Sequence, residues 1–161
     1  MAATITSITD LQNLTNLQDF RADFNSLTSV DLSGLSNLTY VDISDCDIPG
    51  TSTNSLVSVN LSGCTALEEL RLDDSNFSAG IPNLTGLSSL TFFDMDQCDI
   101  AGAVDISMLS SLAGFDLSGN ISITSVILPE TNLNSVNLNN NALTEESVNG
   151  ILQWLASTGV E

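Results

Sequence analysis

One nine-residue phrase, Leu-x-x-Leu-x-Leu-x-x-Asn with apolar exchanges, runs through this chain six times. It spans Leu17–Asn25, Leu38–Cys46, Leu67–Ser75, Leu90–Cys98, Leu112–Asn120 and Leu133–Asn141. Successive starts lie 21, 29, 23, 22 and 21 residues apart. A unit this short cannot bury its own apolar side, so copies must stack, each closing the core of its neighbour. The phrase therefore predicts a solenoid, with a short strand at its centre. Period-two alternation turns the fourth and sixth positions inward and the fifth and seventh outward. The inward pairs are Phe20/Ala22, Val41/Ile43, Leu70/Leu72, Phe93/Met95, Phe115/Leu117 and Val136/Leu138. Such residues suit a parallel sheet buried on that side. The ninth position, where Asn25, Asn120 and Asn141 stand, calls for an inward amide that bonds turn backbone.

A weaker copy of the phrase is nested in several coils, as in Leu27-Thr-Ser-Val30-Asp-Leu32, Leu56-Val-Ser-Val59-Asn-Leu61 and Ile123-Thr-Ser-Val126-Ile-Leu128. The back of the solenoid is thus expected to be extended, with short strands. Ile5–Leu14 reads as an incomplete opening coil. After Asn141 the period changes: Thr144 is a helix N-cap, Glu145 and Glu146 lie at the favourable dipole end, and Val148, Ile151, Leu152 and Leu155 follow at helical spacing. The expected organisation is a single domain over 1–161. It has an N-terminal cap at 1–16, six coils at 17–143 and a capping helix at 144–158, with Trp154 a packing residue and Gly159 beyond the stop.

These units resemble the bacterial and phage-type leucine-rich repeats, whose 21-residue unit reads LxxLxLxxNxLxxLDLxx. The stretch LQDFRADFNSLTSVDLSGLSN matches it nearly residue for residue. Asn76–Leu90, NFSAGIPNLTGLSSL, is similar to a shortened plant-type repeat ending. The likeness covers about residues 5–143. It departs at Cys46, Ser75 and Cys98 in the asparagine slot and at an insertion around Ile48–Ser55. It implies a leucine-rich repeat solenoid with a parallel sheet on its concave face, and a binding scaffold rather than a reaction. The same resemblance suggests a virion or extracellular surface location.

Charge narrows the partners. The chain has 20 acidic residues, two arginines, no lysine and no histidine, for a net charge of -18. Nucleic acid and anionic membranes need positive charge on the protein, so both are expected to be poor partners, and neither nucleic-acid binding nor membrane insertion is expected. No apolar run is long enough to span a bilayer, and the N-terminus, Met1-Ala-Ala-Thr-Ile, lacks the features of a signal peptide. The three cysteines read as small, semi-buried thiols, Cys46 and Cys98 being two strands, or about 10 Å, apart. Asn-x-Ser/Thr sequons, including Asn13, Asn37, Asn76, Asn83 and Asn120, arise from the repeat's own composition.

Without histidine there is no triad or histidine metal site. Carboxylate pairs are plentiful, but an open face is expected to lack the enclosure that would raise a carboxyl pKa. No enzyme is expected. The outward columns of the front strands carry the candidates. The central column reads Arg21, Asp42, Arg71, Asp94, Asp116, Asn137, and the flanking one Asp19, Tyr40, Glu69, Phe92, Gly114, Ser135. Stacking would set Arg71 between Asp42 and Asp94. That is either a cross-strand charge ladder or an arginine platform for a carboxylate, sugar or peptide. Tyr40 and Phe92 should be exposed, as partner-contacting aromatics are, whereas Phe24 should tuck into its turn. The candidate partner surface is thus Arg21, Tyr40, Asp42, Glu69, Arg71, Phe92, Asp94 and Asp116. No cofactor is required; Asp73, Asp94 and Asp96 are weak candidates for calcium. The 49–54 segment is a turn-rich protrusion. The expected function is non-enzymatic recognition of a protein or glycan. The alternative is a structural part of a virion or cell surface that meets its own copies or other virion proteins.

Overall fold

The computed structural model describes residues 5–45 and 55–158; Cys46, the 49–54 protrusion and Gly159 lie outside them. Along the chain run β1 (Asp19–Arg21), β2 (Ser29–Asp31), β3 (Tyr40–Asp42), β4 (Ser58–Asn60), β5 (Glu69–Arg71), β6 (Phe92–Asp94), β7 (Ala101–Asp105), β8 (Gly114–Asp116), β9 (Ser122–Ile127), β10 (Ser135–Asn137) and α1 (Glu145–Thr158). The front sheet is parallel, in the order β1-β3-β5-β6-β8-β10. The back carries two parallel pairs, β2-β4 and β7-β9. The result is a parallel β-solenoid closed at one end by a single helix.

Front register follows the repeat phrase: Phe20, Val41, Leu70, Phe93, Phe115 and Val136 are successive partners. Val41, Leu70, Phe93 and Phe115 are buried, and so are the phrase-opening leucines Leu38, Leu67, Leu90 and Leu112. Burial fails at the ends. Phe20 is only partly buried, and Val136 is 39% exposed. Both lie on edge strands of the front sheet, with a neighbouring strand on one side only, which corrects the uniform inward column.

The ladder continues past the strands. Ala22 N–H bonds Asp42 O (2.8 Å), Phe24 N–H bonds Ser44 O (3.2 Å) and Asp74 N–H bonds Asp96 O (3.0 Å). The eighth residue of each phrase then bends the chain through left-handed backbone. Those residues are Phe24, Asp45, Asp74, Gln97, Gly119 and Asn140, with φ of 53, 51, 50, 52, 70 and 57°. At Gly119 a Cβ would meet Gln97 Cγ at 2.8 Å, so close approach as well as backbone favours glycine there.

The asparagine slot behaves as its chemistry demands. Asn120, fully buried, donates from Nδ2 to Met95 O and Leu117 O, both at 2.9 Å, and accepts at Oδ1 from Cys98 N–H (2.9 Å) and Ile100 N–H (3.1 Å). It therefore ties one coil's turn to the preceding one. Asn25 and Asn141 donate in the same manner. Cys98 stands in for asparagine: its Sγ donates to Leu72 O (3.1 Å) and accepts from Ser75 N–H. Burial pushes its thiol pKa upward, and Cys64 and Cys98 are free and buried.

α1 begins where expected. Thr144 Oγ1 accepts from Ser147 N–H at 3.2 Å. The helix packs against β9 on the back, and Ser147 Oγ accepts from Val126 N–H. Trp154 packs against the core. No helix among the described residues is long and apolar enough to cross a membrane.

Candidate functional site

The front strands are three residues long, so each offers two outward side chains, two residues apart on one face. In β1 these are Asp19 and Arg21, and in β5 Glu69 and Arg71. An acid and an arginine two apart on the same face meet directly. Arg21 Nε bonds Asp19 Oδ1 at 2.9 Å, and Nη2 bonds Oδ2 at 3.1 Å. Arg71 Nε bonds Glu69 Oε1 at 2.6 Å. The direct ion pairs thus run within strands, while the charges of Asp42 and Asp94 on the neighbouring strands act favourably on Arg21 and Arg71, as a cross-strand ladder would.

The cause lies on the next strand. Tyr40 is the register partner of Asp19, and Phe92 of Glu69. Each guanidinium lies over that ring, Arg21 at 4.3 Å from the Tyr40 centroid and Arg71 at 5.5 Å from that of Phe92. Nε then faces the acid on its own strand. Tyr40 and Phe92 are in consequence half-buried, not the exposed aromatics expected. Tyr40 OH also donates to Asp42 Oδ2 (3.3 Å). Phe92 lies against Gly114, where a Cβ would come 3.4 Å from the ring. Gly114 itself is buried.

Asp42, Asp94 and Asp116 have backbone work. Each accepts the N–H two residues on, from Ser44 (3.2 Å), Asp96 (3.4 Å) and Ser118 (2.8 Å). Asn137 does the same for Asn139, and on the back Asp31, Asn60 and Asp105 do it for Ser33, Ser62 and Ser107. These side chains satisfy the backbone where the chain leaves each strand. The recurring triplet of Asx, an apolar residue and a small polar or acidic residue (Ser, Asp or Asn) is the sequence signal for this role. Asp116 also accepts from Asn137 Nδ2 at 2.7 Å.

Acidic groups concentrate beside this column. Ligand oxygens of Asp73, Asp94 and Asp96 lie within 4.8 Å of one another, as do those of Asp45, Asp73 and Asp74. Both groups are spaced to hold a divalent cation such as calcium, with Asp45 and Asp74 added to the expected set. Partial burial, then the charge of Asp94, raises the Asp73 pKa to about 7. Asp94 is raised to about 6, again by burial first and then by Asp116. The expectation that an open face cannot raise a carboxyl pKa is therefore corrected. Acids stacked on successive strands shield one another from water and repel one another's charge. Among the described residues, surface depressions lie around α1 and at residues 13–17.

Phe24 is the second correction among the aromatics. It is 71% exposed rather than tucked into its turn, because left-handed backbone swings its side chain outward. Of the sequon asparagines, Asn120 is buried and consumed by turn bonds.

No protein-family model matches the chain, and no curated protein matches it at a significant level.

Proposed function

We propose that this is a leucine-rich repeat recognition module, non-enzymatic, that binds a protein or glycan through the front face of the solenoid. One observation carries the reading. Both cations of a chain with net charge -18 sit on that one face, two strands apart in one column. Each is held by an acid at Nε and by a ring beneath it, while its side chain stays 58% (Arg21) or 41% (Arg71) exposed. Holding a guanidinium in one rotamer removes ordering cost from any later contact. Around it stand Tyr40, Asp42, Glu69, Phe92, Asp94 and Asp116, a mixture of rings and acids suited to hydrogen-bonding partners. A virion or extracellular surface is the setting we infer from the repeat resemblance.

The test is a screen of glycans and host-surface proteins against the purified chain, with and without millimolar calcium. We expect a specific hit that weakens about tenfold or more in Arg71→Gln, the scale of one well-placed contact. A hit unaffected by Arg71→Gln and Phe92→Ala removes this face from the site. Failure of every probe, with the protein folded and self-associating, favours the structural alternative.

A further inference from the structure

Among the six left-handed turn residues, five are Asp, Asp, Gln, Gly and Asn, and the first is Phe24. Left-handed backbone suits glycine and short polar residues and disfavours a bulky ring. A ring 71% exposed also keeps its apolar surface in water. An exposed ring on left-handed backbone is an outlier of the kind that points towards a use.

The surroundings define the partner. The turns stack in register through Phe24 N–H to Ser44 O and Asp45 N–H to Asp73 O. Asp45 and Asp74 therefore follow Phe24 along the ridge at one and two strand spacings, about 5 and 10 Å. The carboxylate oxygens of Asp45, Asp73 and Asp74 converge within 4.8 Å, and Asp23 immediately precedes the ring. The whole chain, at -18, repels anions and steers cations. We propose that this ridge docks a basic segment of another protein, with Phe24 packing among its apolar side chains and the three carboxylates taking a lysine or arginine. The proposal rests on the recognition reading above and adds the chemistry of the partner.

The probes are three labelled peptides, (Lys-Leu-Gly)4, (Lys-Ser-Gly)4 and (Glu-Leu-Gly)4, titrated by fluorescence anisotropy. Wild-type protein should bind the first best and the third not at all. Phe24→Asn should weaken the first by about tenfold or more while leaving the second unchanged. Because asparagine suits the backbone, the same variant should melt about 2–4 °C higher, which separates lost anchoring from lost folding. Asp45→Asn/Asp74→Asn should weaken both basic peptides. Equal affinity of wild type and Phe24→Asn for (Lys-Leu-Gly)4 overturns the anchor, as does no binding of that peptide to wild type. In either case a glycan or protein hit lost in Arg71→Gln would leave the front-face reading intact. Loss in Phe24→Asn with Arg71→Gln unchanged supports the anchor and removes the arginine column from its site.

Discussion

Asn120 shows most sharply what a single residue does here. Its amide serves backbone groups of two coils while wholly buried. Asn120→Ala orphans several of them, each costing about 1–3 kcal/mol, so we expect a loss of at least about 3 kcal/mol in urea unfolding. Asn120→Cys should lose clearly less, since Cys98 fills the equivalent slot with a donating and accepting sulfur. Equal losses would contradict that equivalence. The asparagine slot was legible in the repeat because amide chemistry at a turn has one obvious use. The roles of Arg21 and Arg71 were not. A column read across strands gives Asp42 and Asp94, whose charges do act on the arginines, but the direct bonds go from each Nε to the acid on its own strand, with the guanidinium over the ring of Tyr40 or Phe92.

Asp73 carries the residue-scale pH dependence. Its folded pKa is raised to about 7 from an ordinary 3.8. A raised carboxyl binds its proton more tightly in the folded state, so its stabilising effect is present in acid and lost as pH rises through about 7. Asp94, raised to about 6, acts in the same direction. Melting temperature should therefore rise as pH falls from 8 to 5. Asp73→Asn should melt higher than wild type at pH 8 and show a flatter profile. A wild-type melting temperature that drops between pH 8 and pH 5 would be inconsistent with the carboxylate stacking.

At the level of elements, period-two alternation located every front strand, because a strand with one buried side leaves no freedom of register. Burial of each inward residue depends instead on whether a coil lies on both sides, which the repeat phrase does not encode. Val41 has neighbours on both β1 and β5, whereas Val136 on β10 has one neighbouring strand. Val41→Asp should unfold the chain or cost more than about 4 kcal/mol by burying an unpaired charge. Val136→Asp, at a site 39% exposed, should cost under about 1.5 kcal/mol. Chemical denaturation of the two variants decides it, and similar losses would mean that the last coil is covered. The nested phrase also anticipated the back strands. The helix was legible from its cap and spacing, but its seat against β9 depends on three-dimensional placement that no local pattern supplies.

For the whole molecule, charge matters most after burial. Twenty acids against two arginines leave long-range repulsion that salt screens over about 10 Å at 0.1 M and about 3 Å at 1 M. Melting temperature should increase steadily from low to high sodium chloride, and a flat response would show the acids to be locally neutralised. The candidate face was only partly legible for the same reason. Composition gave the sign of the charge, and the columns named the side chains that share the front face, but exposure, ring stacking and raised pKa values arise only when the coils stack. The decisive experiment is hydrogen–deuterium exchange of the chain with and without the best binder from the screen. Recognition through the front face requires protection over β3, β5 and β6 and their connecting turns. Protection confined to α1 or to the back strands β2, β4, β7 and β9, with the front unchanged, would place the binding site elsewhere and refute it.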